Sequence, residues 1–237
     1  MSDVESMKKM AAEAAVERIK PGMVVGLGTG STARYAIERI ARLLSDKELY
    51  DIVGIPSSGA TEKLARTLGI PLGDLETHSS IDVNVDGADE VDDDLNLIKG
   101  GGGALLREKV IAQASRENVI IVDQGKLSPR LGTRFWLPVE VLEFGWKPER
   151  EFLREMGATV ELRKNKYGAP FRTDSGNYIL DANFGAMKNP GEIAARIDSR
   201  AGVVGHGLFL DLATEVVVGG DDGPRAIQKG GNAAPAA

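Results

Sequence analysis

The residues of this chain that could do chemistry gather in a few short stretches. Gly28-Thr29-Gly30-Ser31-Thr32 follows an apolar run and precedes a helical pattern, and Pro56-Ser57-Ser58-Gly59-Ala60 repeats that arrangement. Hydroxyls and backbone amides where strands give way to helices suit a phosphate or a polyol, because a helix start offers N–H donors and the positive end of a dipole. Asp86-Gly87-Ala88-Asp89 sets two carboxylates around small residues at the end of a strand pattern, where parallel α/β sheets bind ligands. Lys99 leads into four consecutive glycines, Gly100–Gly103. Such a run is entropically costly and is tolerable where backbone must come close to a ligand. Glu108 falls one turn into the helical pattern that follows. The helix dipole stabilises its anion, whereas partial burial would push its pKa up toward the ~6–7 useful in a base.

Each stretch also has a plainer reading. The two glycine turns could be tight turns and helix caps only. Glu108 could be an ordinary first-turn glutamate. Gly28-x-Gly30-x-x-Ala33 satisfies the loose dinucleotide fingerprint, yet the second strand ends in Pro56-Ser57-Ser58-Gly59 with no carboxylate to hold a ribose. Asp82-x-Asn84-x-Asp86-Gly87 nearly matches a calcium loop, but Asp93 stands where a bidentate Glu belongs. Ile81, Val83 and Val85 also alternate as a strand rather than closing a helix. Glu90 and Asp92–Asp94 read as a solvated acidic loop. His78 lies in a polar stretch and is expected to be exposed, and His206, between glycines, is given no role. Trp136 and Trp146 read as core or interface.

Composition narrows the chemistry. The chain has no cysteine, which removes disulfides, thiol catalysis, iron–sulfur ligation and cysteine zinc sites. With only two histidines, a multi-histidine metal site is excluded. Lys plus Arg is 29 against 35 Asp plus Glu, and a net charge of −6 argues against general nucleic-acid or acidic-membrane binding. No apolar run approaches the ~20 residues of a membrane span, and the first 20 residues lack a signal-peptide apolar core, so a cytoplasmic protein is expected.

The elements that must position these residues follow from periodicity. A helix is expected over residues 4–19, a strand over 23–27, and a helix from Ala33 to Leu44 with Ser31 or Thr32 as its N-cap. Strand 51–55, helix 61–68, strands 81–85 and 95–98, a helix from Ala104 to about Glu117 and strand 119–122 continue the alternation. Alternating strands and helices imply a parallel sheet with helices on both faces. From about residue 133 the order becomes strand (135–144), helix (148–156), strand (159–163), strand (178–183), helix (191–197) and a run at Val203-Val204, which suggests a small α+β domain. Glu215–Val218 reads as a strand returning to the first sheet. The expected division is 1–131 with 207–228 as a Rossmann-like catalytic domain, 132–206 as a smaller ferredoxin-like α+β domain inserted before the last strands, and 229–237 as a disordered tail.

Taken together, GLGTGSTA from Gly26, SSGATEKL from Ser57, VDGADEVD from Val85, KGGGGALLREK from Lys99 and DQGK ending at Lys126 resemble the ribose-5-phosphate isomerases of the A type. Order and spacing agree over the chain except its tail. The resemblance implies interconversion of ribose 5-phosphate and ribulose 5-phosphate in the non-oxidative pentose phosphate pathway, with no metal and no cofactor. It implies that Glu108 is the base moving a proton between C1 and C2 through an enediolate. Asp86, Asp89 and Lys99 would handle hydroxyl protons and steady the oxyanion. Thr29, Gly30, Ser31, Thr32, Gly87, Ala88, Gly100, Gly101, Gly102 and Lys126 would contact the sugar phosphate, and the assembly would be a homodimer or homotetramer.

Two other classes use related folds. A non-catalytic sugar-phosphate sensor would need a DNA-binding module, and about 20 residues before the first strand are too few for one. A coenzyme A transferase relative would use a glutamate nucleophile and leave the phosphate-type turns unexplained.

Overall fold

The computed structural model describes residues 3–228 together with 234–235. In chain order its elements begin with α1 (Asp3–Val16), β1 (Val24–Leu27), α2 (Ser31–Ser45), β2 (Val53–Pro56), α3 (Gly59–Thr67), β3 (Ile81–Gly87), β4 (Glu90–Val91) and β5 (Leu97–Ile98). Then come α4 (Leu105–Ala114), β6 (Ser115–Asp123), a 3-10 turn (Gln124–Lys126), β7 (Leu137–Val141), α5 (Trp146–Glu155), β8 (Thr159–Leu162), β9 (Tyr178–Asn183), α6 (Pro190–Asp198) and β10 (Val203–His206). The last strands are β11 (Leu208–Phe209), β12 (Glu215–Gly220), β13 (Gly223–Gln228) and β14 (Ala234–Pro235). The elements fall into two compact units.

The first unit comprises the chain up to Ala88, Arg107–Leu127 and the chain from Asp211. Its sheet runs β14-β13-β12-β6-β3-β1-β2, with β12, β6, β3, β1 and β2 parallel and β13 and β14 antiparallel additions. Leu27 lies beside both Pro56 and Val85, and Gly87 beside Ile121, so the loops after β1, β2, β3 and β6 leave from one edge. From β1 the chain steps one way to β2 and the other way to β3, the reversal at which open α/β sheets hold ligands. On one face, Ala36, Ile37 and Ile40 of α2 and Ala11, Ala12 and Ala15 of α1 pack on Val25, Leu27, Val83, Val85, Val119 and Ile121. On the other, Ile111 of α4 packs with Ile55 and Ile81. Each large aliphatic side chain removed from water here contributes about 1.5–3 kcal/mol.

Two boundaries differ from expectation. The helix expected to reach Glu117 stops at Ala114, and β6 begins at Ser115 rather than Val119. Ser115 through Asn118 instead extend the ladder with Ile81 through Asn84, and the Asn118 amide donates to Ala112 O at 2.8 Å, closing the end of α4. β13 was not anticipated: it forms a hairpin with β12 across Asp221-Asp222, and its Pro224 stands beside Gly219. Of the tail 229–237, only Ala234–Pro235 are described, paired with β13; the remainder lies outside the described residues.

The second unit comprises Asp89–Leu106 and Ser128–Leu210. Its four-stranded sheet runs β10-β7-β9-β8 with every neighbour antiparallel, the arrangement of a ferredoxin-like β-α-β-β-α-β chain. Leu137, Val139, Leu153, Leu180 and Ile197 form its core. A three-stranded sheet, β11-β5-β4, belongs to the same unit. It draws residues 89–106 into that unit, whereas the sequence pattern divides the chain at 131/132 and 206/207, because β5 pairs with β4 and β11 and not with the seven-stranded sheet.

Candidate active site

In the first unit, the turns after β1, β2 and β3 interlock. Gly28 N–H continues the ladder to Val85 O at 3.0 Å. A Cβ at Gly28 would fall 2.5 Å from the Asp86 Cα and against its carboxylate, so only glycine lets the two strand ends approach this closely. Asp86 is buried, and its Oδ1 accepts from Thr29 N (3.0 Å) and Gly87 N (2.7 Å), which fixes the carboxylate over the first glycine turn. The Thr29 hydroxyl lies 2.7 Å from that of Ser57 and 2.8 Å from that of Ser58. Thr61 commits its proton to Gly28 O at 2.9 Å, and Thr29 gives its own to Ser58, leaving Ser57 as the donor to Thr29. Three hydroxyls from the second turn thus hold the first. Sequence reasoning places Ser57 and Ser58 at a strand end without assigning them; the cluster of hydroxyl side chains at 57, 58 and 61 is the available signal.

Gly30, not Ser31 or Thr32, is the N-cap of α2. Its φ of 113° lies where side-chain-bearing residues are strained, and no side chain caps the helix. No acidic residue occupies the first turn of α2, so no carboxylate of the helix itself opposes the positive end of its dipole. Gly30 and Ser31 are exposed, and Thr32 is buried. Ala88 and Gly87 are half-buried at the end of β3. Half-buried Lys126 closes the 3-10 turn that follows β6, a turn begun by Asp123 accepting from Gly125 N at 3.0 Å. Glu108 is 5% exposed in the first turn of α4.

In the second unit, half-buried Asp89 donates its N–H to Ile98 O (2.8 Å) and accepts Gly101 N–H at Oδ2 (2.7 Å). A Cβ on Gly101 would fall 2.6 Å from Asp89 Oδ1, so the glycine loop is shaped around this carboxylate. Lys99 is 3% exposed; its N–H reaches Gly207 O at 2.9 Å and its ammonium stands 5.5 Å from the centre of the Phe209 ring, a cation–π contact. Gly101 and Gly102 are exposed and Gly100 is buried.

Glu90 corrects the sequence reading. Expected in a solvated acidic loop, it is fully buried. Its Oε2 accepts from Gly132 N (2.8 Å) and Phe135 N (3.2 Å), and its Oε1 from Thr133 N (3.1 Å) and Arg134 N (3.0 Å). One carboxylate therefore organises a whole loop. Asp93 and Asp94 are exposed as expected, while burial pushes the Asp92 carboxyl up as its Oδ1 closes a turn on Asp94 N and Asn96 N. The calcium reading fails on the strand: Asp82 accepts from Val24 N and Arg116, and the Asn84 amide donates to Asn118. Among the described residues, no three His, Asp or Glu side chains are placed to hold a metal ion. His78 is half-buried and bonded to Thr77, not simply exposed. His206 is buried, its Nδ1 accepting from Leu208 N at 3.2 Å and its Nε2 lying 3.1 Å from Asp198 Oδ1. Trp146 packs on the core of the second unit.

A family model for ribose 5-phosphate isomerase A (phosphoriboisomerase A) matches residues 53–223. The ribose-5-phosphate isomerase A of Desulfatibacillum aliphaticivorans is 57% identical over 228 residues, covering 96% of this chain and 99% of that relative. A probable chloroplastic ribose-5-phosphate isomerase of Arabidopsis thaliana is 48% identical over 95% of this chain and 84% of its own length. Among solved structures, ribose 5-phosphate isomerase from Plasmodium falciparum superposes with a TM-score of 0.92 at 42% identity, covering 96% of this chain and 100% of that one. A D-ribose-5-phosphate isomerase solved in complex with phospho-erythronic acid gives 0.93 at 41% identity, covering 95% and 99%.

Proposed function

As a member of the ribose 5-phosphate isomerase A family, this chain is an isomerase that interconverts ribose 5-phosphate and ribulose 5-phosphate, and we propose that Glu108 is the base that carries the proton. The observation behind that assignment is a carboxylate almost withdrawn from water in the first turn of α4, directly after the glycine loop. In the forward direction Glu108 takes the proton from C2 of the open-chain aldose. The electrons of that bond form the C1–C2 double bond and those of the carbonyl move onto O1. The same carboxyl returns its proton to C1 while the O2 hydroxyl passes its own, by way of a shuttling carboxylate, to the O1 oxyanion, leaving a ketone at C2 and a hydroxyl at C1.

Stabilising the enediolate calls for positive charge and preorganised donors at its oxygens. Lys99 and the amide of exposed Gly102 are assigned that role, Gly100 and Gly101 contact with the substrate, and Asp86 and Asp89 the shuttling of hydroxyl protons. The phosphate is assigned to the amides and hydroxyls of Thr29 through Thr32 and to Lys126, with Gly87 and Ala88 lining the sugar. Binding energy from the phosphate then orients carbons that it does not touch. The same reading takes the enzyme as a cytoplasmic homodimer or homotetramer, which sedimentation at micromolar concentration tests. Conversion of ribose 5-phosphate in EDTA, beside the Glu108→Gln variant, tests the base. The variant is expected to lose at least about a hundredfold in kcat while still binding sugar phosphate. Near-normal turnover would remove Glu108 from the role.

A further inference from the structure

The glycine loop has a charged partner that the reaction scheme leaves unused. Arg163 follows β8, with its side chain 15% exposed. Its Nε donates to Asp181 Oδ2 on β9 at 2.9 Å, and one Nη completes a two-pronged pair with the other oxygen. The remaining Nη donates to two backbone carbonyls, Gly100 O at 2.8 Å and Gly101 O at 3.1 Å. Phe171 lies beneath the guanidinium, 6.0 Å from ring centre to its carbon. Every one of these groups belongs to the second unit.

The peptide that joins Gly100 to Gly101 is therefore gripped at both ends. Its oxygen accepts from Arg163, and its N–H donates to Asp89 Oδ2 at 2.7 Å. The bond is trans, so oxygen and hydrogen point opposite ways across one plane. A cation on one side and a carboxylate on the other each polarise the peptide toward the other, which strengthens both hydrogen bonds. The next peptide repeats half of this pattern: Arg163 holds Gly101 O, so the N–H of exposed Gly102 points away from the guanidinium.

We propose that Arg163, held by Asp181, is a positioning residue for the isomerisation, acting on Asp89 through the Gly100–Gly101 peptide. The assignment rests on the reading that Asp89 and the glycine loop serve the reaction. An arginine that only tied β8 to β9 would have no such reach. The fork geometry is needed, since lysine has one nitrogen and cannot grip the Asp181 carboxylate and two carbonyls at once.

A double-mutant cycle separates the two roles. Rates are measured with ribose 5-phosphate for Arg163→Met, Asp89→Asn and the pair, with far-UV circular dichroism confirming the fold. Arg163→Met is expected to lower kcat about tenfold to a hundredfold, the reach of a charge-assisted hydrogen bond, with KM changed less than about threefold. Once Asp89 is asparagine, the arginine change should cost little more, because its route is already cut. Arg163→Lys should recover only part of the loss, and takes the place of methionine in the cycle if that variant does not fold. Losses that simply multiply, or an arginine variant with normal kcat, overturn the proposal while leaving Asp89 its role. Normal kcat in Asp89→Asn alone overturns the underlying reading and the proposal with it.

Discussion

Glu90→Gln changes one oxygen to nitrogen at a site where the structure fixes the consequence. The wild-type carboxylate is fully buried and accepts four backbone N–H groups, two on each oxygen. A glutamine keeps one acceptor and turns a donor toward the other two amides. It will choose the orientation that faces its NH2 to Thr133 and Arg134, which are exposed and can turn to water, and keeps its oxygen on buried Gly132 and on Phe135. Two charge-assisted bonds are then lost at about 1.5 kcal/mol each, and two drop to neutral strength at a cost of about 0.5–1 kcal/mol each. Burying a neutral group instead of an anion returns about 1–2 kcal/mol. The net destabilisation is about 3 kcal/mol, or about 6–12 °C in Tm for a chain of this length. Thermal unfolding at neutral pH, followed by circular dichroism, reads it directly. Exposed Glu155→Gln is the control and should move by no more than about 0.5 kcal/mol. A Glu90→Gln variant that melts with the control would show that the four contacts are not the anchor of that loop.

Three further outcomes are expected. Lys126→Ala should raise KM for ribose 5-phosphate about tenfold or more, with kcat within about threefold, because a phosphate contact far from C1 and C2 is made alike in ground and transition states; a fall in kcat at unchanged KM would contradict this in steady-state kinetics. Gly28→Ala should lose about 2 kcal/mol or more in urea unfolding together with a drop in kcat, since its methyl meets the Asp86 backbone, which cannot rotate away. The Lys8 ammonium and the Tyr35 hydroxyl hold the Glu5 carboxyl below the usual glutamate range. That contribution is present above the ordinary pKa and is lost as pH falls through the lowered one, so Tyr35→Phe should make the decline of Tm between about pH 5 and pH 3 shallower; an unchanged slope would dismiss the contact between α1 and α2 as a source of acid sensitivity.

What could be read in the sequence was whatever local chemistry decides. The strand, turn and helix around Gly28–Thr32, the position of Asp86 at a strand end and the first-turn position of Glu108 all follow from short-range pattern. The order of the ferredoxin-like unit followed from six well-separated apolar segments. Most of the failures share a cause in pairing partners far away in the chain. Glu90 looked like its acidic neighbours, and only the amides of residues 132–135 reveal it as a buried anchor. β4 and β11 are two residues long, too short for any periodicity. The start of β6 was hidden because Ser115–Glu117 is polar and gains strand structure from Ile81–Val83 alone. The sequence pattern puts a hydroxyl at the cap of α2, where the backbone angle calls for glycine. Arg163 sits in an unremarkable polar stretch, and nothing short of the folded sheet puts it on the carbonyls of Gly100 and Gly101.

The return of β12 to lie between β6 and β13 sets a timetable for the nascent chain. β6 carries Val119-Ile120-Ile121-Val122, every one buried, and among the described residues its outer edge pairs only with β12, which starts about 90 residues later. At ~5–20 residues per second, a ribosome takes about 5–20 s to deliver that cover. During this interval the β-branched run Val119–Val122 presents an edge open to other chains, the kind of segment that seeds intermolecular pairing. Expression yield should therefore respond more to translation rate and temperature than to the equilibrium stability of the finished molecule, and a charged substitution at Val217, the partner of Ile121 on β12, should send the chain to inclusion bodies rather than merely lower its melting point.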